Sequence, residues 1–338
     1  MPTRRLLIIG FSNVATRSGF SDPTIDRLRA ETPDVTVLRV GLGAQQPHVI
    51  PPYLRLAAAK LGPFSHVLFE VNASAFALHP LTTPARGREL LLDMALVAQD
   101  IGADPAFFLH HRRWTSPVHH DFNAQTREFC KEFRIPFLDM AEEWLAEVGA
   151  DVVAGLLRDD VHTTYEGGEV MADRVTPFLK RCLDQAAWFH AVSLPKPIWR
   201  RGLLDTDAIL HDHPMERHDC MDLPLHYMRL ENTGAVLRFG QEYHAQALVH
   251  LFHRAGGHIN LRLDPSGHSL QVSTVDPFSY APRIGTVAFD FYRGLHLREI
   301  TISPTVEAPE IKLLKGEPER PLRSYIGPLL TLEPATPS

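Results

Sequence analysis

The four residues Leu6-Leu7-Ile8-Ile9 constrain this chain more than any others. A strand that alternates apolar and polar side chains keeps one face for water, whereas four consecutive large aliphatics leave none. Such a strand is stable at the centre of a sheet covered on both faces, and helices on crossover connections supply the cover. The run stops at Gly10, Ser12 follows, and Asp22-Pro23-Thr24 reads as a helix start with proline near its first position. A serine just past the carboxyl end of a central strand stands where open α/β sheets place their ligands.

The same unit recurs down the first half. Residues 35–40, 66–71, 106–109 and 135–138 read as strands. Helical patterns cover 52–61, 86–101, 122–133, 142–148 and 168–183. Repeated β-α units of this length predict a parallel sheet with helices on both faces and right-handed crossovers, an α/β domain over 1–187. Residues 188–218, with Pro195 and Pro197, read as a linker or wrapping segment. Beyond it the period changes to two. Segments 225–230, 235–239, 246–252, 258–263, 269–275, 285–292 and 297–302 alternate and are separated by turn residues such as Asp264-Pro265-Ser266-Gly267. This predicts an all-β sandwich, jelly-roll-like, over 219–338, with a frayed tail from Glu333. A carbohydrate-binding module and a structural or oligomerising domain are both compatible with that architecture.

Composition narrows the function classes. A chain of 338 residues exceeds what one core usually covers, in keeping with two domains. The net charge of -6, without a basic stripe, argues against a nucleic-acid partner. No apolar run approaches the roughly 18 residues of a membrane span, and four aliphatics after Arg4-Arg5 do not make a signal peptide. Cys130, Cys182 and Cys220 are odd in number and widely spaced, so neither a disulfide framework nor a zinc site is indicated, and a cytoplasmic location is expected. Gly41-x-Gly43 lacks the third glycine of a dinucleotide fingerprint, and no cofactor is expected. His110-His111, His119-His120 and His211-Asp212-His213 do not form a metal-binding pattern, and no metal is expected. His110, His111 and Trp114 follow the fourth strand and are expected at the active edge, stacking on or hydrogen-bonding a sugar or other leaving group.

In a parallel sheet, residues just past the strands converge on one edge. Here these are Ser12, Gly43 and Asn72, with Asp159 and His162 just before the last helix. Acyl transfer by a serine needs an imidazole to take its proton, a carboxylate to hold that imidazole, and donors for the oxyanion. Asp159 and His162, three apart on one turn, supply the first two; Asp160 lacks that offset. The backbone N–H groups of Ser12 and Gly43, with the Asn72 amide, are the candidate donors.

These residues resemble the SGNH hydrolases, the GDSL-type esterase and lipase superfamily. Gly10-Phe11-Ser12-Asn13 is similar to the family's Gly-Asp-Ser block, and Gly43 to its second-block glycine. Glu70-Val71-Asn72-Ala73 is similar to Gly-x-Asn-Asp, and Asp159 to His162 to Asp-x-x-His, followed by Thr163, Thr164 and Gly167. The resemblance spans residues 4 to 185. Phe11, Glu70 and Ala73 depart from the pattern, which marks a divergent branch. It implies a flavodoxin-like three-layer α/β/α fold with Ser12 as nucleophile, Asp159 and His162 completing the triad. It also implies Ser12, Gly43 and Asn72 as the oxyanion hole. The expected activity is a serine esterase removing O-acyl groups, most plausibly acetyl, from a glycan ester. An O-acyltransferase with the same triad and a non-catalytic glycan-binding protein are the alternatives.

Overall fold

The aliphatic run forms strand β1, Arg4–Gly10, and sits at the heart of a five-stranded sheet. A computed structural model describes residues 4–74, 84–113, 117–185, 193–195, 199–231, 233–290, 294–305 and 310–334. Helices α1, Ser12–Ala15, and α2, Ser21–Glu31, lead to β2, Val35–Gly41. Helix α3, Ile50–Leu61, precedes β3, His66–Glu70, and α4, Pro84–Asp100, precedes β4, Asp104–Leu109. Helix α5, Pro117–Phe133, leads to β5, Phe137–Asp139, and α6, Glu143–Val148, α7, Ala150–Gly155, and α8, Tyr165–Asp184, complete the unit.

The strand order is β2-β1-β3-β4-β5, every pairing parallel. Period two sends Leu6 and Ile8 to one face, where they pack with Leu28 of α2 and Met171 and Val175 of α8. Leu7 and Ile9, also buried, face the layer to which right-handed crossovers assign α3, α4 and α5. The α/β expectation for the first half holds, with α1 and α7 as short additions that the helical period did not mark.

The second half is an antiparallel sheet of nine strands. They are β6, Trp199–Leu204, β7, Met215–Cys220, β8, Leu223–Leu230, and β9, Ala235–Phe252. Then come β10, His258–Asp264, β11, Ser269–Ser273, β12, Arg283–Ala288, β13, Leu295–Pro304, and β14, Ser324–Pro334. The main path is β11-β10-β13-β9-β14-β8-β7, with β12 added to β9 and β6 to β14. Instead of two separately bonded sheets, the ladder is continuous. Strand β9 pairs along one edge first with β13 and then with β12, while β14 takes its other edge. One core holds Ile259 and Leu261 of β10 together with Met228 of β8 and Ile326 of β14.

Three expectations are corrected here. Segments 235–239 and 246–252 are a single strand, because pairing with β13 continues past Gly240 through a register shift opposite Leu297 and Glu299. The expected linker 188–218 holds strand β6 and the first four residues of β7. The tail begins later than Glu333, since Glu333 and Pro334 still pair with Arg200 and Trp199. By contacts the chain divides into Met1–Lys196 with Met221–Leu223, and Pro197–Cys220 with Pro224–Ser338. Among the described residues no helix is long and apolar enough to cross a membrane.

Candidate active site

With the order β2-β1-β3-β4-β5, connections leave β1 and β3 toward opposite faces and open a crevice at their carboxyl ends. Ser12 opens α1 immediately after β1 and is half-buried. Gly43 lies two residues past β2, and nothing stands within 4 Å of where its Cβ would be, so this backbone borders open space. Asn72 opens a single 3-10 turn just past β3.

The Asp159–His162 turn is built to present its imidazole. His162 Nδ1 lies 2.8 Å from Asp159 Oδ2 and 3.0 Å from Oδ1, a bifurcated contact. Asp159 Oδ1 also accepts from the backbone N–H groups of Val161 at 3.0 Å and His162 at 2.8 Å. Partial desolvation raises the Asp159 carboxyl, but those three donors outweigh it and hold it at about 2, so it is ionised at neutral pH. An ionised acceptor on Nδ1 fixes the tautomer that leaves Nε2 as the base.

Two contacts tie this turn to the Ser12 turn. Asn13 Nδ2 donates to Val161 O at 3.1 Å, and Thr163 Oγ1 donates to Ser18 O at 2.5 Å. Asn13 and Val161 are the chain neighbours of Ser12 and His162, so serine and histidine share one corner. Ser12 Oγ makes no hydrogen bond to His162 in this structure; such bonds commonly tighten only with substrate in place. Arg113 braces the turn from beyond β4. Its N–H donates to Asp160 O at 2.8 Å, and its guanidinium to Ala154 O and Leu157 O, each at 2.7 Å.

Asn72 does not present its amide as expected. Its Nδ2 donates to Asn123 Oδ1 and Thr126 Oγ1 of α5, each at 3.0 Å, which uses both N–H groups. The Thr126 proton goes to Phe122 O at 2.7 Å, so its oxygen is free to accept. The residue is where the sequence placed it, but its donors point into the protein.

No protein-family model matches this sequence, and no curated protein matches it. Among solved structures, it is similar to a two-domain esterase active on acetylated mannans. The TM-score is 0.63 at 10% identity, covering 98% of this chain and 92% of that one. The same esterase co-crystallised with mannopentaose gives 0.64 at 10% identity, over 99% and 92%. The chain shares its fold with that two-domain protein.

Within this fold, the histidines after β4 are buried. His110 is fully buried, packed on Phe108 and Phe20, with Nδ1 at 2.6 Å from His111 O and Nε2 without a partner. Burial pushes its imidazole down to about 3. His111 is buried with Nδ1 at 3.3 Å from Ala141 O. Neither is exposed for stacking on a sugar, because the chain stays inside from the end of β4 at Leu109 through Arg112. Trp114 lies outside the described residues. Sequence reasoning missed Asn13, Arg112, Arg113, Asn123 and Thr126; only the adjacent pair Arg112-Arg113 at a strand end offered a signal. Among the described residues no group of three His, Cys, Asp or Glu side chains is gathered to hold a metal ion.

Proposed function

We propose that this chain is a divergent SGNH-type serine esterase that removes O-acyl groups, acetyl foremost, from a carbohydrate substrate. The observation that carries the reading is the Asp159–His162 pair fastened beside the Ser12 turn at the carboxyl edge of the sheet. Ser12 Oγ attacks the ester carbonyl while its proton passes to His162 Nε2. The imidazolium returns the proton to the departing alkoxide, leaving an acyl-Ser12 ester. His162 then takes a proton from water, which attacks the acyl carbon and releases the carboxylic acid and free Ser12. The Ser12 and Gly43 backbone N–H groups receive the oxyanion in both halves, each donor worth about 3 kcal/mol. Asn72 joins them only if its amide leaves Asn123 or Thr126. Likeness in fold to an esterase active on acetylated mannans supports a glycan ester as the substrate class.

The test is fluorophosphonate labelling combined with acetate release from acetylated mannan, for wild type and Ser12→Ala. Wild type labels at Ser12 and releases acetate, and the variant does neither. Equal labelling of both proteins overturns the nucleophile. Labelling without acetate release keeps the esterase and rejects the glycan.

A further inference from the structure

The two departures from the first and third sequence blocks meet each other in space. Position 11, an aspartate in the SGNH pattern, is Phe11, which is buried. Position 70, a glycine in that pattern, is Glu70, fully buried at the end of β3. Strands β1 and β3 are neighbours, with Gly10 and Glu70 in register. They approach so closely that a Cβ on Gly10 would stand 2.5 Å from Glu70 O and 2.9 Å from its Cβ. The Phe11 N–H donates to Glu70 Oε2 at 3.4 Å, and the Ala73 N–H faces the same carboxyl. Arg112 Nη1 donates to Ala73 O at 2.5 Å, fastening that turn from beyond β4.

We infer that Glu70 is a positioning residue for the Ser12 turn, its carboxyl tying the Phe11 N–H at the end of β1 to the turn that follows β3. The inference rests on Ser12 being the nucleophile. The carboxyl that the pattern carries beside the nucleophile is absent at position 11 and present on the adjacent strand at position 70. It does not touch substrate, since it is wholly enclosed; it acts through the peptide that precedes Ser12.

The charge state sharpens this role. Burial lifts the Glu70 carboxyl to about 8, against the Phe11 and Ala73 N–H groups and the Arg112 charge, which pull it down. Arg112 also faces Asp159 and Asp160 from the loop before α8, and the buried, neutral His110 faces Arg112 from the same segment. At neutral pH the carboxyl therefore holds the turn without a negative charge beneath the developing oxyanion. Above that range the charge appears and opposes it.

The experiment measures deuterium exchange at the Phe11 amide, and kcat and KM for p-nitrophenyl acetate, from about pH 6 to about pH 9.5. The proteins are wild type, Glu70→Gln and Glu70→Ala. Glu70→Ala exchanges Phe11 about tenfold faster and loses about 100-fold in kcat, with KM within about twofold. Glu70→Gln keeps protection and kcat and lacks the alkaline fall of wild type. Unchanged exchange and kcat in Glu70→Ala overturn the inference, as does an alkaline fall in Glu70→Gln matching wild type. If Glu70→Ala fails to fold, the glutamine variant decides alone. If wild type cleaves no ester, the esterase reading has failed. Phe11 protection that is lost in Glu70→Ala and kept in Glu70→Gln still decides the positioning role.

Discussion

An exposed carboxylate is ordinarily a weak partner for an imidazole, worth about 0–1 kcal/mol. Asp159 is half-exposed, yet it meets His162 with both oxygens and is itself held by two backbone N–H groups. Its value lies in orientation and tautomer, not in stability. Asp159→Asn preserves shape and the backbone acceptor but offers Nδ1 a donor in some rotamers, so the wrong tautomer competes. The expected result is a fall in kcat of about 10³–10⁴-fold with a melting temperature shifted by no more than about 2 °C. Steady-state kinetics and a thermal melt check it; a large loss of stability with kcat intact would make Asp159 a structural residue. Because this carboxyl stays ionised down to about 2, an acid limb in the activity profile is not Asp159 titrating.

At the scale of elements, the start of α8 decides where His162 stands relative to the Ser12 turn. Thr164 caps it by accepting from Gly167 N at 2.9 Å, Thr163 bonds back to Ser18 O, and Gly168 presses its Cα against the carbonyls of Ser18 and Gly19. A Cβ on Gly168 would sit 2.5 Å from Ser18 O, a backbone atom with little freedom to yield. Gly168→Ala is expected to cost about 1–3 kcal/mol by overpacking. It also lowers kcat more than KM, because lifting the first turn of α8 moves His162. Urea melts and steady-state kinetics test both; wild-type values would mean the loop absorbs the methyl. This turn was legible in the sequence because its signal is local, an Asp-x-x-His just before a helix. Strand β1 was legible because consecutive aliphatics admit one environment. The Asn72 amide was not, since its partners Asn123 and Thr126 arrive from α5, some fifty residues away. Nor was β14, where Gly327 and Pro328 break the alternation. In the sheet they fall at the register shift between Ile326 and Leu329, where a missing N–H costs no ladder bond. Polar β7, Met-Glu-Arg-His-Asp-Cys, lies at the end of the sheet path, where charge is expected on an unpaired edge.

For the whole molecule, each unit hides an imidazole that must stay neutral. In the first it is His110; in the second it is His250, pushed down to about 4 by burial and lying flat against Gly285. Both take up protons more readily when unfolded, near 6.5, so the unfolded state binds more protons below that pH. Stability from these groups is therefore full above 6.5 and drains away as pH falls toward 3 and 4 respectively. Glu70 works in the opposite sense: unfolded, it ionises near 4.5, folded near 8, so its contribution is lost as pH rises through that interval. Each effect is worth about 1.4 kcal/mol per pH unit within its window. From these groups the first unit has a plateau between about 4.5 and 6.5 with losses on both sides, and the second only an acid loss. Hydrogen exchange resolved by unit across pH shows the difference. His250→Leu is expected to flatten the second unit's acid limb, and an unchanged limb would place its cause elsewhere. The order in which the chain is made adds a constraint of its own. Strand β14 bonds β9 on one edge and β8 and β6 on the other, an interior strand that is the last of the nine to be synthesised. Until the ribosome has passed residue 334, the eight strands already made face one another across a vacant lane with their hydrogen-bonding edges open. The second unit therefore completes its sheet only when its last strand is in place, and a chain halted short of it carries open edges on β9, β8 and β6.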